Sequence, residues 1–414
     1  MSAALSQSSS SASSVAPNTN VREQWFPALD GLRGVAILSV MLLHFTQVPG
    51  LRLSGGWSQT IHALWLGWAG VDLFFALSGF LITTILLRNL GSERFFTKFY
   101  ARRALRIFPL YFIYLAIYSF AWIALSRMHH VSAAAFQEFR AEAPYLFSYT
   151  SNFYPLFHGE LTKYGTGHFW SLAVEEQFYL VWPLLLYLTP RQHLMKLSLG
   201  LFVVASLIRL GAIAGGMSTT AIYTLLPMRM DALLAGAIPA IASVSGRLET
   251  LRRPAAWIAS ICGPLAIAVL AIFGPSAASA EVEAVGFPLL SLTFGAIVVL
   301  AATSKQPSPL SGGPLAFLGK YSYGLYVTHV LVRSLLLAVM PSGAGGHTLG
   351  WLAMFAGIGM ITAIGVAVVV YHLVERPFLD LKRLFGYAAR SVPEPTAATR
   401  EPNAIYNEPK VEAG

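Results

Sequence analysis

Arg33 and His44 are the pair of residues in this chain best placed to do chemistry. They bound a run of ten almost entirely apolar residues, Gly34 to Leu43. Eleven helical steps of about 100° return to within roughly 20° of the starting direction, so both side chains fall on one stripe of a helix. At about 1.5 Å per residue they stand about 16 Å apart along the axis, close to half the hydrocarbon thickness of a bilayer. A cation near one membrane face and an imidazole deep inside are costly to bury, which makes them functional candidates. The same two residues are compatible with an interfacial arginine and a histidine hydrogen-bonded to a neighbouring helix.

Further polar residues interrupt apolar stretches. Asp72 lies in Gly70-Val71-Asp72-Leu73-Phe74-Phe75, where it needs a cation or a proton; Arg33, His44 and Arg229 are the available kinds of partner. In Trp170-Ser171-Leu172-Ala173-Val174-Glu175-Glu176, with Tyr179 beyond, Ser171, Glu175 and Tyr179 recur every four residues and share a face, and Glu176 points about 100° away. Glu175 is a candidate acid or base, or an orienter of His44. Arg229 and Asp231 begin another apolar run and could hold a pair of sugar hydroxyls or pair with other helices. His329 follows Ser322-Tyr323-Gly324-Leu325-Tyr326-Val327-Thr328 and puts a second imidazole near mid-membrane. In the basic inner loop ahead of Pro109, Arg103 and Arg106 are three apart, so on a helix both guanidinium groups could fork onto phosphate oxygens; lipid headgroup anchoring is the other use of such residues.

The elements that must position these residues are membrane helices. Of 414 residues, 55% are hydrophobic and 11% charged, and the mean hydropathy is +0.60, a composition that water would not keep dispersed. Apolar runs of spanning length fall at about 31–47, 64–87, 107–126, 170–188, 198–213, 227–243, 256–273, 285–303, 316–340 and 349–373, which predicts an all-α polytopic membrane protein of about ten helices. With both termini cytoplasmic, the inner connections carry fifteen Lys and Arg, from Arg88 to Arg383, and the outer ones four: Arg52, Arg127, Arg140 and Lys163. The long connection at about 127–169 is rich in Tyr and Phe and reads as a folded outer lid. Residues 1–24, rich in Ser and Ala and without a signal-peptide pattern, and 387–414, rich in Pro and charge, read as disordered tails around a transmembrane domain at 25–378.

The composition also excludes chemistry. One cysteine, Cys262, leaves no internal disulfide, CxxC metal site or dithiol couple. No Walker loop or dinucleotide fingerprint supports ATP or NAD use, and the net charge of +9 comes without a polar basic domain to present to nucleic acid. No metal site and no tightly bound cofactor are expected.

Taken in order, these strings resemble acyltransferase family 3, the integral-membrane O-acyltransferases that modify surface polysaccharides, lipopolysaccharide, Nod factors and macrolides. The resemblance covers about residues 25–378. It rests on Leu29-Asp30-Gly31-Leu32-Arg33-Gly34 with His44, on Gly70-Val71-Asp72-Leu73-Phe74-Phe75 with Ser78-Gly79-Phe80, and on Phe99-Tyr100 with Arg103 and Arg106. It continues through Trp170-Ser171-Leu172 and Glu175, Arg229 with Asp231, Ser322-Tyr323 with His329, and Glu375-Arg376-Pro377. Some larger members append a periplasmic esterase-like domain, which is not expected here. The resemblance implies transfer of an acyl group, foremost acetyl, from cytoplasmic acyl-CoA to a hydroxyl of a carbohydrate or glycolipid outside, in a bacterial inner membrane. It implies His44 as general base or covalent nucleophile, Arg33 and Glu175 beside it in catalysis, and Arg103 and Arg106 on the CoA phosphates. Asp72, Ser171, Arg229, Asp231 and His329 are then candidates for holding substrate. A transporter of acyl groups or glycolipids is the rival from another class, although no paired halves with broken helices accompany the buried charges.

Overall fold

A computed structural model describes residues 26–48, 56–161, 165–304, 308–340 and 348–386, all within one compact unit, Trp25–Gly386. Among the described residues the chain is helical throughout, without strands. Ten long helices carry the fold: α1 Pro27–Thr46, α2 Ala69–Asn89, α3 Phe95–Arg127, α4 Trp170–Leu188, α5 Leu194–Ala214, α6 Leu226–Val244, α7 Arg252–Phe273, α8 Phe287–Ala302, α9 Ser322–Val339 and α10 Leu349–Val370. All but α4 belong to the nine segments that, among the described residues, are long and apolar enough to cross a membrane.

The helix α4 falls short of that apolarity because Glu175, Glu176 and Gln177 interrupt it, and its two faces differ. Leu180, Val181, Leu184 and Leu188 are exposed on the outside of the bundle, whereas Trp170, Ser171 and Tyr179 are buried. Outward rows of Val203 and Leu207 on α5, Ile261 and Leu265 on α7, and Met354, Ile358 and Ile361 on α10 extend the same apolar girdle. In water such rows would drive aggregation; in lipid they are the solvated surface.

Two local expectations change. The basic stretch before Pro109 is not a loop but the first turns of α3, one helix of 33 residues with Pro109 inside it. Arg and Ala are strong helix formers, and proline sacrifices one backbone bond that the surrounding turns tolerate. Arg103 and Arg106 therefore project from a rigid element. The last expected span continues past its predicted end at 373 through a π turn at Tyr371–Glu375 to Phe385. The aromatic connection is folded, as its composition suggested: Ser132 caps the helix Ala133–Phe147 by accepting from the Ala135 amide. Tyr149 stacks on Tyr111 of α3 at 4.3 Å between ring centres. The terminal segments, Arg52, Lys163 and Lys305 lie outside the described residues.

Helix α2 is the hub, and its tightest contact is with α6. A Cβ on Gly79 would stand 1.8 Å from the Leu233 carbonyl oxygen, and one on Gly236 1.8 Å from that of Ala76. The two backbones approach because neither has a side chain at the crossing, the usual device for joining helices when lipid offers no hydrophobic driving force. Gly236→Ala is therefore expected to cost about 1–3 kcal/mol of stability through overpacking. Gly200→Ala on α5, where nothing lies within 4 Å, is expected to be neutral or mildly stabilising. Thermal unfolding of both variants in detergent checks the contrast.

Candidate active site

The Arg33-to-His44 helix connects two cavities. The larger, about 890 Å³, is lined by His44, Gln47, His62, Trp65, Trp68, His168, Trp170 and Tyr223, together with loop residues Leu161, Gly165 and Pro275. The smaller, about 300 Å³, is lined by Arg33, Arg102, Arg103, Arg106 and Lys382 with Ser78, Glu175, Glu176 and Tyr179. Val71 and Tyr326 line both. The eleven-residue spacing thus places its cation in one chamber and its imidazole in the other.

The central contact is between two imidazoles. His44 Nδ1 lies 2.8 Å from His329 Nε2, and His329 Nδ1 lies 2.9 and 2.8 Å from the carbonyl oxygens of Leu325 and Tyr326. Carbonyls only accept, so in the neutral pair His329 carries its proton on Nδ1 and presents a bare Nε2. His44 must then donate through Nδ1, which leaves its own Nε2 unprotonated and chemically available. A carboxylate would fix the tautomer equally well but would bury a charge; His329 does so without one. Arg333, one turn beyond His329 on α9, donates from Nε to the His44 carbonyl at 2.6 Å and from its terminal nitrogen to the Gln47 carbonyl. It satisfies open carbonyls at the C-terminal end of α1 and places positive charge at the negative end of that helix. His168 completes an imidazole cluster, with ring centres 6.3 Å from His44 and 5.1 Å from His329.

Several expected residues stand elsewhere than the sequence suggested. Glu175 does not orient His44. It faces the arginine-lined cavity, accepting from Ser78 at 2.9 Å and from Tyr179 at 3.0 Å. Five residues into α4 it has descended about 7.5 Å from the helix start, below the level of the imidazoles. His329 is fully buried and lines neither cavity, so it contacts His44 and not a bound molecule. Asp72, Arg229 and Asp231 are likewise buried away from both cavities. Arg229 pairs with Asp72 at 2.5 Å and Arg209 with Asp231 at 2.8 Å, tying α2 to α6 and α6 to α5. Ser171, by contrast, lines the arginine-lined cavity, with its hydroxyl bonded to that of Tyr326. Arg33 lines the smaller cavity, with Asp30 at 2.8 Å, and Arg103 lies 5.6 Å over the Tyr179 ring.

The ion pairs also brace the larger cavity. The Arg229 guanidinium sits 4.0 Å from the centre of Phe287 and 5.2 Å from that of Tyr223. Tyr223 packs on Trp170 and Phe287 on Trp68, with centres 4.6 and 5.6 Å apart. Arg209, Arg333 and His168 had drawn no expectation as site residues. Arg209 left a usable signal, a charge deep in the apolar helix α5. Arg333 left another, one turn from His329, and His168 stands two residues ahead of Trp170.

Comparison with known proteins finds relatives of the whole helical domain. The chain is 29% identical over 381 residues to YrhL of Bacillus subtilis (strain 168), named as a candidate peptidoglycan O-acetyltransferase, covering 86% of this chain and 55% of that protein. It is 27% identical over 340 residues to the peptidoglycan O-acetyltransferase OatA of Listeria monocytogenes, covering 78% of this chain and 51% of OatA. The chain thus spans about half the length of these relatives. No solved structure matches it. A family model described as an acyltransferase domain matches residues 26–371, the span that contains the imidazole pair and every cavity residue named above except Lys382, and the chain belongs to that acyltransferase family.

Proposed function

We propose that the chain is a membrane O-acyltransferase that takes an acyl group, foremost acetyl, from CoA at the arginine-lined cavity and delivers it to a carbohydrate hydroxyl in the larger cavity. The observation that carries this reading is the His44–His329 pair, a neutral base with a fixed tautomer set in a wide cavity backed by a basic one. With α4 counted as a span the helices number ten among the described residues, an even count that puts the start of α1 and the segment after α10 on one side, and the basic bias of the connections assigns that side to the cytoplasm. The basic residues of α3 then face cytoplasm, where acyl-CoA is found. The named relatives support a glycan acceptor, such as peptidoglycan, at the outer cavity.

His44 Nε2 takes the proton of the acceptor hydroxyl as that oxygen attacks the thioester carbonyl carbon. The imidazolium so formed holds its Nδ1 proton against His329 Nε2, and the two carbonyls on His329 Nδ1 disperse the added charge. The carbon–sulfur bond then breaks, sulfur leaves as thiolate, and the proton on His44 Nε2 passes to it, returning the base to its starting state. Arg33, Arg103 and Arg106 hold donor phosphate by charge-assisted hydrogen bonds. Glu175, fixed by Ser78 and Tyr179, limits the positive charge of their cavity. The tryptophans and Tyr223 of the larger cavity offer flat faces for sugar rings.

His44→Gln keeps approximate size and hydrogen bonding but cannot titrate near neutrality, so kcat is expected to fall by roughly 10²–10⁴ while the protein accumulates normally. His329→Leu is expected to give a smaller fall with KM for acyl-CoA unchanged, partly restored in His329→Gln, which returns an acceptor to His44 Nδ1. An active His44→Gln enzyme would show that the imidazole is structural, and a labelled acyl group trapped on His44 in a single turnover would replace the base with a nucleophile.

At the other cavity, Arg103→Ala and Arg106→Ala are each expected to raise KM for acyl-CoA, in proportion to a lost contact of about 1.5–3 kcal/mol, with acceptor KM little changed. Lysine rescues only in part, because a point charge replaces a planar fork. Unaltered acyl-CoA dependence in both variants would remove these residues from donor binding.

A further inference from the structure

The two cavities touch through two residues, one of which is held by two hydrogen bonds. Tyr326 lines both chambers, with Val71 as their other shared wall. Its phenol donates to the carbonyl of His168 at 2.9 Å, and the hydroxyl of Ser171 bonds to the phenol oxygen. Ser171 also lies 3.2 Å from the His168 carbonyl, so three oxygens close a small buried ring. The aromatic ring is wedged between Phe74, at 6.2 Å, and His168, at 5.4 Å, on opposite sides of the shared wall. Tyr326 is buried and uncharged, and its tip is held by two hydrogen bonds that must break before the ring can move. It stands directly between the chamber that holds the arginines and the chamber that holds His44.

We propose that Tyr326 is the partition between the donor and acceptor cavities, and that the aperture opened when its hydroxyl leaves Ser171 and the His168 carbonyl limits the size of the acyl group that passes. This inference rests on the transfer reading for its acyl component; the partition itself does not require any chemistry. Tyr326 is a positioning residue, acting on what reaches His44. A thioester arm entering from the arginine side has to displace the ring, and a closed ring keeps water and ions of one chamber out of the other.

The test separates partition from catalysis. In a Cys262→Ser background, Ile85→Cys places one thiol in the smaller cavity, and a small charged methanethiosulfonate is added to sealed vesicles from the side of the larger cavity. The thiol is expected to be protected when Tyr326 is present, labelled about tenfold faster in Tyr326→Phe, which loses the pin and keeps the bulk, and faster again in Tyr326→Ala. Reagent added from the arginine side reports that each variant is folded and should label all three alike. In parallel, Tyr326→Ala is expected to raise the use of propionyl- and butyryl-CoA relative to acetyl-CoA. Equal labelling from the larger cavity in all three proteins would overturn the partition. Labelling as expected with an unchanged acyl preference would leave the partition standing and overturn the size limit. Labelling as expected with no turnover of any acyl-CoA would retire the transfer reading instead.

Discussion

Buried charge must be paired, and that constraint shapes the centre of this molecule. Asp72 with Arg229 and Asp231 with Arg209 are ion pairs without access to water, so each would be ruinous if its partner were displaced. Their geometry fixes three helices, because the partners are on α2, α5 and α6. The arginine of the first pair also lies against Phe287 and Tyr223, which pack on the two tryptophans of the larger cavity. The wall of the larger cavity is thus set by electrostatics one layer behind it, and the close glycine crossing of α2 and α6 brings together the two helices that carry Asp72 and Arg229.

The imidazole pair solves a related problem without adding charge. A base in a membrane interior needs a fixed tautomer and a way to tolerate a passing proton. His329, held by two carbonyls of its own helix, provides the first through a neutral contact and the second by sharing the proton. Arg333 supplies a fixed positive charge nearby while spending its hydrogen bonds on the carbonyls at the end of α1. Because α1 runs from Arg33 in the basic chamber to His44 in the wide one, a single rigid element sets the distance between the arginine cluster and the imidazole pair.

Much of this was legible in the residues themselves. The spans, the shared stripe of Arg33 and His44, the clustering of Arg103 and Arg106, and the folded outer connection all follow from periodicities and compositions local to one segment. What was not legible depends on contacts between segments far apart in the chain. His44 and His329 are separated by 285 residues, Asp72 and Arg229 by 157, and no spacing rule says which buried acid meets which cation. The partner of Glu175 is hidden for the same reason: its depth follows from α4, but the neighbour at that depth, Ser78 and not His44, depends on how α4 leans on α2. Arg209 was overlooked among apolar neighbours although a lone buried guanidinium is a demand for a partner.

On the proposed function, an acyl group crosses from the arginine-lined chamber to the imidazole-lined one. Oriented, sealed proteoliposomes test it most directly, with radiolabelled acetyl-CoA confined to one side and a soluble peptidoglycan glycan fragment to the other. Label should appear across the bilayer, as glycan ester or as acetate, only when acetyl-CoA is on the side of Arg103 and Arg106. Label transferred only when donor and glycan share a compartment, or only when the donor faces the cavity of His44, would contradict the account.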